Sequence, residues 1–123
     1  MKSFCETLIH IIDCELLWLN TILGDPITYE GRESIYHLDE IRQYSTFVQL
    51  KTKAFTTNGK HGDEYRTIEV TRRDGSFRHF LQKKIIAHLI THEIHHIGQL
   101  SVWAREIGLK PVSSDLITRN ICE

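Results

Sequence analysis

Residues 76–108 read SFRHFLQKKIIAHLITHEIHHIGQLSVWAREIG, and the recurrence of apolar positions along them decides what kind of chain this is. Leu81, Ile85, Leu89, Leu100, Trp103 and Ile107 fall on one side of a helix turning ~100° per residue. The stretch therefore predicts one long helix from Ser76 to Ile107, with Gly108 as its stop. Gly98 inside it costs ~1 kcal/mol relative to alanine, which implies close approach of another helix or a slight bend. Of the eight histidines in the chain, four crowd the middle of this helix: His88, His92, His95 and His96. His92 and His96 project within the apolar arc, whereas His88 and His95 lie towards its edge.

Working outward, Ser3 to Leu23 carries Phe4, Leu8, Ile11, Ile12, Leu19 and Ile22 at helical spacing, and Gly24-Asp25-Pro26 ends it. Leu17 and Trp18 widen its apolar surface beyond one stripe, so this helix is expected to contact neighbours on more than one side. Ser34 to Thr57 repeats the pattern with Ile35, Leu38, Ile41, Tyr44, Phe47, Val48 and Phe55. Residues 65–71 then alternate, and Arg73-Asp74-Gly75-Ser76 supplies a tight turn, which predicts a short two-stranded excursion leaning on the helices. After Pro111, Ser113-Ser114-Asp115 caps a last short helix to Ile121. The fold expected is all-α, one helical domain over residues 1–123 with a β-hairpin before the last long helix.

Composition narrows the function classes. At 123 residues, 41% hydrophobic and 25% charged, the chain is the size of one globular domain, and no window approaches the ~18 apolar residues of a membrane span. It can bury enough surface to fold without disulfides or metal, so any metal invites a functional reading. The net charge of −1 hides a segregation: residues 1–50 carry three basic and eight acidic groups, residues 51–84 nine basic and four acidic. Such a field could steer an anionic small molecule, but no basic run interleaved with aromatics points to nucleic acid. Cys5, Cys14 and Cys122 leave one cysteine over in any disulfide scheme, and the N-terminus has no signal-peptide core. A reducing, cytoplasmic location is expected.

Two imidazoles four residues apart on the apolar side of a helix are costly unless each nitrogen is satisfied. A divalent metal satisfies them and leaves positions for solvent or substrate. The alternative is core histidines bonded to carbonyls or carboxylates. A third ligand has to come from elsewhere, and His10 on the first helix is the natural candidate. It lies roughly opposite the most continuous apolar stripe of its helix, so its inward direction depends on that helix being buried on two sides. His92-Glu93-Ile94-His95-His96 also satisfies the H-E-x-x-H pattern of zinc peptidases. Only 27 residues follow His96, none of them histidine, and no multi-stranded sheet is in view to line a peptide cleft.

The chain resembles the DinB/YfiT-like superfamily, helical bundles with a divalent-metal site of three histidines. Its H-x-x-x-H-x-x-H-H-R-G-Q-type signature is matched by His88, His92, His95, His96, Gly98 and Gln99, followed by Gly108 and Pro111. The segment beginning His10-Ile-Ile-Asp13-Cys-Glu15-Leu-Leu-Trp18 is similar to the family's first-histidine region, and the Asp74-Gly75 hairpin is similar too. The resemblance implies a DinB-like bundle in which His10, His92 and His96 hold a divalent metal such as zinc, nickel or iron. It also implies activation of a thiol or water for transfer to, or hydrolysis of, a small molecule, as in thiol S-transferases using low-molecular-weight thiols. Glu15, Glu93 and Gln99 are candidate orienters, Trp18, Tyr36 and Tyr44 candidate cleft residues, and Cys14, one turn after His10, a neighbour of the site. The chain departs from the signature at two places. Ile97 stands where arginine is common, and the family's first helix is missing before His10, so a second copy of the chain is expected to cover the bundle's open flank. A metal-binding structural dimer without catalysis is the competing reading.

Overall fold

The computed structural model describes residues 4–26, 37–58 and 65–113. Helix α1 spans Phe4–Leu23, α2 Leu38–Thr57, strand β1 Thr67–Thr71, strand β2 Phe77–Leu81 and helix α3 Gln82–Glu106. The expected all-α, DinB-like arrangement with a hairpin before the last long helix is therefore present. The short helix expected after Ser113 and up to Ile121, the start of the second helix at Ser34, and Tyr36, His61 and Cys122 lie outside the described residues.

Helix α1 packs against both α2 and α3, and also touches β1. Its inward residues divide between two apolar clusters. Ile12 joins Ile41 and Val48 of α2, with Leu8, Ile9, Leu16 and Tyr44 around them. Leu19 and Ile22 join Phe55, Ile68 of the hairpin and Ile85 of α3, with Trp18 and Phe80 alongside. Each fully buried aliphatic side chain stabilises the fold by roughly 1.5–3 kcal/mol over its exposed state. Helices α1 and α3 both end on a glycine with positive φ, Gly24 at 74° and Gly108 at 80°. The next residue's N–H returns to a carbonyl five positions back, Asp25 to Asn20 at 2.9 Å and Leu109 to Ala104 at 2.8 Å. A side chain with Cβ would be strained in that left-handed conformation, so these glycines set the helix ends.

The hairpin is antiparallel, pairing Thr67 with Leu81 through Thr71 with Phe77. Its turn is tied by Arg72 N–H to the Ser76 carbonyl at 2.7 Å, and by Asp74 accepting the Ser76 backbone N–H at 2.9 Å and hydroxyl at 2.5 Å. Those bonds hold the exposed Asp74 carboxyl below its ordinary range. Phe77–Leu81 is thus a strand rather than the first turns of the long helix, which corrects the helix expected from Ser76. The physical reason is non-local: backbone groups of Phe77–Leu81 are satisfied by β1, while Phe80 and Leu81 happen to continue the helical stripe. Gln82, fully buried, starts α3 by donating its backbone N–H to the Arg66 carbonyl at 2.8 Å and accepting from Arg66 Nε at 3.3 Å. Arg66 also donates to the Ile22 carbonyl at the end of α1, so one arginine ties hairpin, α1 and α3 together.

Candidate metal centre

Because α1 has neighbours on two sides, a residue off its main apolar stripe still faces protein. His10 does so. Its ring centroid stands 5.2 Å from that of His92 and 5.0 Å from that of His96, with His92 and His96 themselves 4.5 Å apart. One nitrogen from each of His10, His92 and His96 lies within 4.8 Å of the others, and all three side chains are half-buried. Three histidines, 82 and 86 residues apart in sequence between helices, converge only because α1 and α3 pack side by side.

The pair on α3 already has the spacing that a shared cation needs. Two imidazole nitrogens bound to one tetrahedral ion at ~2.0–2.1 Å stand about 3.3 Å apart, and His92 Nε2 and His96 Nε2 are 3.2 Å apart. His96 Nδ1–H donates to Gln99 Oε1 at 2.7 Å, one turn later, which sets the tautomer and leaves the Nε2 lone pair facing the cluster. His92 Nδ1 is buried without a hydrogen-bond partner, so the cluster's own bonds do not satisfy it. Burial, and after it the neighbouring imidazoles His96, His10, His88 and His95, hold His92 below its ordinary pKa. That keeps the ring neutral, the form a metal ligand requires.

Beside the histidines lies a carboxyl pair. Glu93 of α3 is hydrogen-bonded to Glu15 of α1, and its pKa is raised to about 7 by burial first and then by the Glu15 charge and hydrogen bond. Thr52 of α2 donates to Glu15 Oε1 at 2.6 Å, so the pair joins all three helices. Tyr44 donates to Asp13 at 2.6 Å in the same seam. Cys14 Sγ lies 3.8 Å from His10 Nε2, a neighbour on the adjoining turn.

The other histidines stand outside the trio. Exposed His88 meets Trp18 edge-on at 5.6 Å, and exposed His95 lies beside His96. His79 faces Glu69 across the hairpin at 3.5 Å, and His37 precedes α2. Gln99 orients a ring, as expected of it; Glu15 and Glu93 orient each other instead. Tyr44 packs in the α1/α2 core with its hydroxyl on Asp13 rather than on an open cleft. Sequence reasoning missed the Thr52 and Tyr44 contacts, and the only available signal was a polar residue within the apolar pattern of α2.

A sequence profile described as the DinB family matches residues 1–121. A Bacillus subtilis (strain 168) protein carrying the name Uncharacterized protein YizA is 35% identical over 123 residues, covering 98% of this chain and 75% of the relative.

Proposed function

The chain belongs to the DinB family, and on that premise we propose that it is a metal-dependent enzyme acting on a small molecule, with His10, His92 and His96 as the ligands of one divalent cation. The observation that carries this reading is the meeting of three ring nitrogens from two helices within 4.8 Å. A cation held by neutral imidazoles lowers the pKa of a thiol or water towards neutrality and so supplies a nucleophile for transfer or hydrolysis. Zinc, nickel and iron all accept such a donor set.

The chain's own residues prepare the site. Gln99 holds the proton of His96 at Nδ1, so Nε2 is the nitrogen offered inward. Burial keeps His92 neutral. Glu93 shares a hydrogen bond with Glu15 rather than standing ready as the general base that a H-E-x-x-H peptidase needs, which favours a small-molecule substrate over a peptide. The basic excess of residues 51–84 attracts anionic reactants, and a low-molecular-weight thiol fits that field. Large apolar side chains left exposed on α2 and α3 support a homodimer.

Elemental analysis of protein purified without chelator is expected to find about one divalent ion per chain. His92→Ala and His96→Ala should lose it, and Gln99→Leu should weaken retention against a competing chelator by about 10- to 100-fold. Turnover of an electrophilic aryl halide with a low-molecular-weight thiol should vanish in His96→Ala. Metal bound without turnover across a panel of thiols and of hydrolysable substrates would favour the structural dimer. Unchanged metal content in both alanine variants would sink the site itself.

A further inference from the structure

On the same α1/α3 seam as the histidines, and beside the hairpin, is a second feature that the metal reading leaves unused. It is a cavity of about 220 Å³ lined by Trp18, Phe80, Lys84, Ile85 and His88. Trp18 follows His10 by two helical turns on α1, and Ile85 and His88 precede His92 by two turns and one on α3. His88 belongs to both places: its ring meets Trp18 at 5.6 Å and stands 6.2 Å from the ring of His92. One imidazole therefore stands between the cavity and the candidate metal centre.

The chemistry of the lining defines its occupant. Trp18, Phe80 and the buried Ile85 supply apolar surface, two of the three being aromatic faces on which a planar ring can stack. The volume is below the ~300–1,000 Å³ of sites that enclose drug-sized ligands, so it suits one ring or a short chain. Lys84 is the one charged residue of the lining, its ammonium 5.7 Å above the Phe80 ring. The segment that contributes Phe80 and Lys84, residues 51–84, also carries the chain's basic excess. An anionic group on the ligand gains from both, and a cationic one is repelled.

We infer that this cavity binds the aromatic or apolar end of a small anionic molecule, with the anion on Lys84 and the rest of the molecule directed past His88 towards the histidine cluster. That the molecule is the enzyme's substrate rests on the function proposed above; that the cavity binds it does not.

The test uses the full-length protein with Trp103→Phe, which leaves Trp18 as the one fluorophore of its kind among the chain's two tryptophans. Benzoate is titrated against benzyl alcohol and benzylamine, with equilibrium dialysis of the unsubstituted protein as a second measure. Benzoate should quench Trp18 saturably and bind roughly threefold to tenfold more tightly than the alcohol. Lys84→Glu should reverse the order in favour of benzylamine without moving the melting temperature. No saturable binding by either method, or equal binding of all three probes that Lys84→Glu does not alter, would overturn the inference. Selective benzoate binding to protein that holds no metal would uphold the cavity while sinking the metalloenzyme reading. Metal and turnover without benzoate binding would sink the cavity alone.

Discussion

Glu93 and His92 are sequence neighbours whose titrations pull stability in opposite directions. The Glu93 carboxyl is raised from 4.5 to about 7, so the native state holds a proton that the unfolded chain has released. Its stabilising contribution is present below about pH 4.5 and is lost as pH rises through about 7. His92 is lowered from 6.5, so below that value the unfolded chain takes up a proton more readily than the native one, and stability falls as pH falls. In Glu93→Gln the first effect is removed. Urea melts between about pH 5 and about pH 8 should then show stability rising with pH more steeply than in the unsubstituted protein. An unchanged profile would mean that Glu93 is not the proton holder. At His92 the desolvation that disfavours the charged form also keeps a lone pair available, which is what the proposed metal site needs.

At the scale of elements, the polar seam and the glycines separate what shapes a helix from what merely interrupts one. Glycine at 98 was expected to mark close helix approach or a slight bend, and the first does not hold: a Cβ built there meets nothing within 4 Å among the described residues. Gly98→Ala should therefore stabilise the protein by about 0.5–1 kcal/mol through helix propensity and a less flexible unfolded chain. Gly24→Ala, with equal space but φ of 74°, should instead cost roughly 1–2 kcal/mol. Thermal melts of the two variants with unchanged metal content would check the contrast, and a loss of stability in Gly98→Ala would show that another surface closes on that face. The hairpin shows the same division: Asp74-Gly75 was legible as a turn, but which residues continued as strand depended on pairing partners six to fourteen positions away.

For the molecule as a whole, the arrangement around α1 leaves apolar surface uncovered. Phe47 and Leu50 on α2 are 59% and 63% exposed, and Ile90 and Ile94 on α3 are 53% and 63% exposed. A second copy of the chain is the occupant proposed for that surface, because an isologous interface buries the same patch twice. Light scattering should return about twice the 14.4 kDa chain mass. Ile94→Glu or Phe47→Glu should shift it towards the monomer with little change in helix content. A monomer at high micromolar concentration would remove the dimer from the proposal. The charge segregation also acts at this scale, placing the basic excess on the segment that includes the hairpin and Lys84.

The sequence by itself determined three long amphipathic helices, the glycine stops of the first and last, the hairpin turn and the inward pair His92 and His96, because each depends on residues within a few positions of one another and on helical period. It left the direction of His10 open, and it carried the last helix too far back, into Phe77–Leu81. Only the tertiary structure decided those points. His10 turns inward because α1 is enclosed by two helices, and Phe77–Leu81 is extended because β1 satisfies its backbone. The cavity beside Trp18 belongs to the same class: its walls come from α1, β2 and α3, and no local pattern records that they meet.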